Sequence, residues 1–356
     1  MSPFRTIIPL ITAVALGLAA CGGSAAPAAS SAAPASVAPA SAAKPAASSP
    51  AASASPASAK PAASASAAAS AASSPAASAS AGTKPTVTIG STNFSEQLVL
   101  GELYAQVLEN NGYKVTRSFN LGSREIVEPA LESGKIDMDG EYMATLLHFI
   151  DKNANPSTDA AQTAQQLQTA LAAKNLTPLQ YAPAVDNDGF VVTKATADKY
   201  NLKKISDLAP VANEMILGGT PECPTRPFCL IGLQNTYGLK FKDFKPLDTG
   251  GPITVQAVES NQVQVGELFT TDANITTHNF VLVDDDKHLQ LADNIVPVVR
   301  NDLLAKVGPD FKTSINAIAP KLTTAELTGL NKQVGVDKKD PKDVAAAWLK
   351  ANGLVK

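Results

Sequence analysis

Residues able to do covalent or metal chemistry are few in this 356-residue chain, which holds three cysteines and three histidines. His148, His278 and His288 are scattered beside ordinary helix or turn residues and read as solvated side chains. Asp284-Asp285-Asp286 reads as a charged turn, because three consecutive acids at a strand end cannot all face one calcium ion. There is no Gly-x-Ser-x-Gly elbow and no His-Glu-x-x-His, and 232–238 has the wrong spacing for a phosphate loop. An enzyme is therefore not expected, nor a cofactor or a metal. Cys21 has a different character. It closes Leu18-Ala19-Ala20-Cys21 behind the charge of Arg5 and the apolar stretch 7–18. That stretch is too short to span a bilayer and has the layout of an export signal. Small residues before a cysteine match the bacterial lipobox, so Cys21 is expected to be lipidated and to tether the chain by its acyl groups. Export bears on the other two cysteines. Cys223 and Cys229, with five residues between them, are expected to be oxidised outside the cytosol. Closing so short a loop contributes about 2–2.5 kcal/mol. A two-thiolate metal site is the rival reading, weakened by the lack of a nearby histidine or second cysteine pair.

The elements that must position these residues begin after a long spacer. Positions 22–84 are almost entirely Ala, Ser and Pro. Such a tract has too little apolar bulk to offset its ordering entropy, and its prolines keep the alanines from joining into one helix. It is expected to be a disordered tether averaging ~45 Å end to end. Arg5, Lys44 and Lys60 are the only charges before Lys84, which leaves 26 basic residues against 32 acidic ones in the folded part. No basic cluster exists, so nucleic acid is not an expected partner. No second long apolar run follows, so the lipid is the only expected membrane contact.

In the folded part, 86–89 alternates as a strand. Asn93 and Glu96 form a capping-box pattern ahead of a helix with an apolar face at 98, 99, 103, 107 and 108. Strands are expected at 113–119 and 135–138, and a helix at 124–133 ends at Gly134. This β-α-β-α-β order predicts a parallel sheet flanked by helices. Helices near 142–151 and 158–173 follow, and the pattern restarts at 189–192. The middle block has strands near 214–217, 264–269 and 280–283, with helices near 196–208, 230–236 and 252–260. The chain then passes Val296-Pro297-Val298-Val299 and finishes in helices, one opened by Pro341 and carrying Trp348. The fold class is α/β with two lobes, the second inserted into the first: 85–189 and 290–356 against 190–289. A ligand would then sit in the cleft between lobes, at the strand ends.

Ile89-Gly90-Ser91-Thr92-Asn93-Phe94-Ser95-Glu96-Gln97 resembles the opening motif of substrate-binding proteins of osmoprotectant ABC importers. The resemblance continues through 128–137, Glu141-Tyr142, Thr145, 200–208, 237–241, Thr270-Thr271-Asp272, 285–288 and 297–300, and so spans the whole folded part. It implies a periplasmic-binding-protein fold of the type II kind and a small solute such as glycine betaine, choline or a related quaternary amine. The implied partners are an ABC permease and its ATPase subunits, outside the cytoplasmic membrane. A quaternary ammonium has no hydrogen to donate and is held by aromatic faces, while a carboxylate takes a guanidinium fork. By resemblance Tyr142 is a cage tyrosine, Thr145 a polar contact and Arg226 the carboxylate-binding arginine, pre-set by two prolines and the Cys223–Cys229 loop. Asn93, Thr271 and Asp272 belong to the implied binding set. Asp188 and Asp293 stand where the family commonly has tyrosines, Phe269 keeps only a ring, and Thr92 replaces a lysine. A full aromatic cage is thus not expected, and the two acids suit a cation met by carboxylates or a ligand with N–H donors. Their alternative is that of solvated loop residues. The alternatives are a sensing lipoprotein with the same fold and an importer receptor for a different cationic amine or amino acid.

Overall fold

The computed structural model describes residues 84–356; the export segment with Cys21 and the spacer through residue 83 lie outside the described residues. The strands are β1 (Thr86–Gly90), β2 (Lys114–Ser118), β3 (Met138–Tyr142), β4 (Leu176–Pro178), β5 (Asp188–Thr193), β6 (Ile216–Gly219), β7 (Asp243–Pro246), β8 (Val265–Phe269), β9 (Phe280–Leu282) and β10 (Ile295–Arg300). The helices used below are α1 (Ser95–Asn110), α2 (Arg124–Glu132), α3 (Met143–Ile150), α4 (Ala160–Ala172), α5 (Lys194–Tyr200), α6 (Leu230–Tyr237) and α7 (Pro252–Glu259). No helix of the described residues is long and apolar enough to cross a membrane.

Two mixed sheets form two lobes, with strand orders β2-β1-β3-β10-β4 and β7-β6-β8-β5-β9. The expected parallel sheet holds for β1, β2 and β3, whose helical crossovers force parallel pairing. It fails at β10, which runs antiparallel between β3 and β4, and at β5, antiparallel to β8 and β9. The reason is the insertion. Each of these strands receives the chain directly from the other lobe and so starts at the end where its parallel neighbours finish. The two crossings lie side by side, joined by a single antiparallel bridge between Val185 and Asn294.

Both faces of each sheet are covered. In the first lobe α1 buries Val99, Leu100, Leu103 and Leu108 on one face, while α2, α3 and α4 bury Leu131, Leu146 and Leu167 on the other. In the second, Leu233 of α6 and Val258 of α7 belong to the apolar clusters on opposite faces.

Local expectations shift in four places. The residue preceding α1 is Phe94, with no side-chain cap, because Glu96 turns inward instead of back to Asn93. The third strand starts at Met138, since the amides of Lys135 and Ile136 both close the end of α2 on the carbonyl of Ala130. The helix expected over 196–208 stops at Tyr200, where Asn201 takes a left-handed conformation (φ 52°) and leads to a 3-10 turn at Ile205–Leu208. β4 and β7 were not foreseen.

Candidate functional site

A cleft of about 400 Å³ opens between the lobes. Its walls come from the carboxyl ends of the parallel strands, where open α/β sheets bind ligands. Phe94 follows β1, Tyr142 ends β3, Thr220 follows β6 and Phe269 ends β8. The two antiparallel strands begin at this same end, which brings in Asp188 at the start of β5 and Asp293 just before β10.

Three rings meet here from both lobes. Phe94 stacks on Phe269 with centroids 5.2 Å apart, and the Tyr142 centroid lies 6.4 Å from that of Phe94. Further out, His148 of α3 meets Phe228 edge-on at 6.0 Å across the lobes. His148 therefore lines the cleft and is not the merely solvated residue expected. Phe94 was absent from the expected binding set. Its signal was available in the opening motif, as an aromatic residue just outside a strand end.

The Tyr142 hydroxyl is occupied on its far side. It donates to Glu96 Oε1 at 2.6 Å and accepts from Gln97 Nε2 at 3.1 Å. Glu96 Oε2 accepts from Thr271 Oγ1 at 2.7 Å and Asn331 Nδ2 at 2.5 Å, so this buried carboxyl joins both lobes behind the rings. Burial raises the Glu96 pKa, opposed by these donors, and raises that of neighbouring Asp186 well above the carboxylate range. Thr271 is thus committed to Glu96 and does not reach the cleft. Asp272 also stays out of it, facing an adjoining chamber of about 680 Å³ behind Phe94 and Phe269.

Charge in the cleft is unevenly paired. Arg124, at the start of α2, makes a buried fork on Glu141: Nε to Oε1 at 2.9 Å, Nη2 to Oε2 at 2.7 Å. Its Nη2 also donates to Thr145 Oγ1 at 2.9 Å. Nothing in the sequence pattern distinguished Arg124 from an ordinary helix-start residue. Arg226 reaches across the lobes to Glu125 at 3.3–3.4 Å. Its loop is fixed by the Cys223–Cys229 disulfide, with Cα atoms 5.2 Å apart, and by Gln290 Nε2 donating to the Phe228 carbonyl at 2.8 Å. Because those sulfurs are bonded to each other, the thiolates a metal would need are absent from the loop.

The Asp188 carboxyl has no hydrogen-bond partner among the described residues, and its pKa is pushed up to about 6 by burial against the pull of Arg226 and Arg124. Asp293 accepts at Oδ1 from the Thr145 amide at 3.0 Å and its hydroxyl at 3.3 Å. Burial pushes Asp293 up to about 7, opposed by that amide and by Arg124 and reinforced by Asp188. Neither acid is a solvated loop residue. Asn93 is exposed on the rim, and Thr92 lines the wall with its hydroxyl unpartnered among the described residues.

A two-lobed α/β receptor with a ring-lined, carboxylate-bearing cleft at its strand ends is built to enclose a small solute, not to transform one. The family model "substrate binding domain of ABC-type glycine betaine transport system" matches residues 85–351, and the chain belongs to that family. It is 28% identical over 281 residues to a glycine-betaine-binding protein of Pseudomonas aeruginosa, covering 76% of this chain and 89% of that one. A carnitine transport binding protein of Listeria monocytogenes is 27% identical, covering 76% and 88%. Among solved structures, a glycine betaine/carnitine/choline ABC transporter protein superposes with a TM-score of 0.61 at 27% identity, over 75% of this chain and 99% of that one. The protein is an extracytoplasmic solute receptor of an ABC importer, working with a permease and its ATPase, and not an enzyme.

Proposed function

We propose that this receptor captures a small betaine- or choline-like amine in the cleft, its ammonium group against Phe94, Tyr142 and Phe269, and presents it to the permease by lobe closure. The observation that carries this reading is the convergence of those rings, contributed by both lobes, on one chamber. An ammonium with its charge spread over methyl groups gains ~0.5–2 kcal/mol from each desolvated ring it faces. Relatives named for glycine betaine and carnitine support the solute class. Asn93, Thr145, Asp188, Arg226 and Asp293 line the same chamber and are proposed contacts. Thr271 is proposed to act through Glu96, and Asp272 through the adjoining chamber. Residues 85–189 with 290–356 move as one body and 190–289 as the other. Calorimetry with choline, glycine betaine and carnitine tests the reading. Phe94→Ala should weaken the tightest of them by roughly 3- to 30-fold; undiminished affinity would remove the rings from the site.

The chain is further proposed to hang from the membrane by lipid on Cys21, with 22–84 as a tether. Mass spectrometry of the membrane-extracted protein should find an acylated N-terminal cysteine. A soluble product that carries no lipid would count against the anchor.

A further inference from the structure

We propose that Asp188, together with Asp293, is the counter-charge of the bound solute, so that the cleft selects a small organic monocation carrying a hydrogen-bond donor and no carboxylate. This rests on the amine-receptor reading above and narrows its substrate class.

Placement comes first. Asp188 is paired directly with Phe269 in the antiparallel β5–β8 ladder, so the carboxylate and the ring project from the same face as neighbours. On the other lobe Tyr142 is paired with Ile295, two residues beyond Asp293, whose carboxylate is held at the start of α3 by Thr145. Each lobe therefore offers the cleft an aromatic ring and a carboxylate. A cation between them meets rings on its faces and acids on its flanks.

Hydrogen-bond accounting gives the second part. Asp188 has no protein donor among the described residues, and Asp293 accepts at Oδ1 alone. Methyl groups closing on these oxygens would desolvate them without compensation, which a ligand hydroxyl or N–H avoids.

Charge accounting gives the third. The cleft's arginines are already engaged, Arg124 by the buried fork on Glu141 and Arg226 by Glu125 of the opposite lobe. With those pairs set aside, Asp188, Glu222 and Asp293 remain on the walls against Lys152, while Asp186 accepts from the Thr271 amide and is held toward neutrality by burial. A ligand carboxylate entering here would have to displace Glu125 and stand among like charges. The unsettled state of Asp188 and Asp293, both raised toward neutrality, fits acids that lack a cation.

Titration calorimetry of the purified chain with choline, tetramethylammonium and glycine betaine separates these terms. Choline, a cation with a donor, should bind at least about tenfold more tightly than glycine betaine, with tetramethylammonium between. Asp188→Asn should weaken choline by at least about tenfold while leaving glycine betaine unchanged or improved, and Asp188→Glu should keep the wild-type order. The proposal is overturned if glycine betaine binds the wild type as tightly as choline, or if folded Asp188→Asn retains choline affinity. Should Asp188→Asn fail to fold, the wild-type ranking alone decides. Binding by none of the three overturns the amine-receptor reading itself, an outcome distinct from binding in the wrong order.

Discussion

At the scale of single residues, the ring of Tyr142 faces the cleft while its hydroxyl serves the structure behind it. The two roles separate on substitution. Tyr142→Phe keeps the ring and removes a donor from the buried Glu96 carboxyl. Leaving that acceptor short should cost about 1–3 kcal/mol in a urea unfolding experiment. Ligand affinity should fall by less than about threefold, since the aromatic face remains. A large affinity loss with unchanged stability would reverse the assignment. Arg226 illustrates a departure at the same scale. The resemblance implies a guanidinium awaiting a ligand carboxylate, whereas here Glu125 already stands against it.

At the scale of elements, the Arg226 loop depends on a glycine in α6. A Cβ on Gly232 would lie 2.1 Å from the Pro227 carbonyl and 2.5 Å from the Leu289 side chain, so the loop packs against bare helix backbone. Gly232→Ala should destabilise the fold by roughly 1–3 kcal/mol through overpacking, measured by denaturant titration. A neutral result would mean that the loop floats free of the helix. How far the sequence revealed its own elements follows from how each is stabilised. β1 and α1 were legible because alternation and helical spacing mark their buried faces. β4 and β7 were not, since Leu176-Thr177-Pro178 and Asp243-Phe244-Lys245-Pro246 are short and owe their form to pairing with β10 and β6. The start of β3 was displaced by three residues because Asp139, Gly140 and Glu141 carry no apolar alternation to mark a strand, yet all are buried in the sheet. In the site, Tyr142, Asp188, Arg226, Phe269 and Asp293 could be placed through the family resemblance. Arg124 escaped notice because its partner Glu141 lies in a different element, and Thr271 misled because a hydroxyl's direction is set by tertiary contacts.

At the scale of the whole molecule, many carboxyls are held above their ordinary pKa. Burial pushes Asp272 up to about 6, and Glu128 and Glu267 up to about 8, alongside Asp188 at about 6 and Asp293 at about 7. Like charges add to this, Glu141 facing Glu128 and Asp188 facing Glu267, while Arg124 and Arg226 oppose it. The folded state then binds more protons than the unfolded chain between about pH 4 and 8, so ∂ΔG/∂pH is negative there. The stabilisation is complete below the unfolded values and is lost as pH rises through 6 to 8. Thermal melts of the ligand-free protein should give a higher Tm at pH 5 than at pH 8. A Tm that does not fall over this interval would count against these acids being held protonated in the fold.

The interior position of β10 has a consequence for how the protein is made. It lies between β3 and β4, yet in the chain it follows the entire second lobe. During vectorial emergence the second lobe's sheet, made wholly of residues 188–282, has all its strands while the first still lacks one. Until residue 300 is present, β3 keeps an unpaired edge and β4 has no strand partner, the kind of exposure that recruits foreign strands. If the chain emerges N-terminus first, the inserted lobe can complete its sheet while the lobe that begins the fold still waits for its last strand.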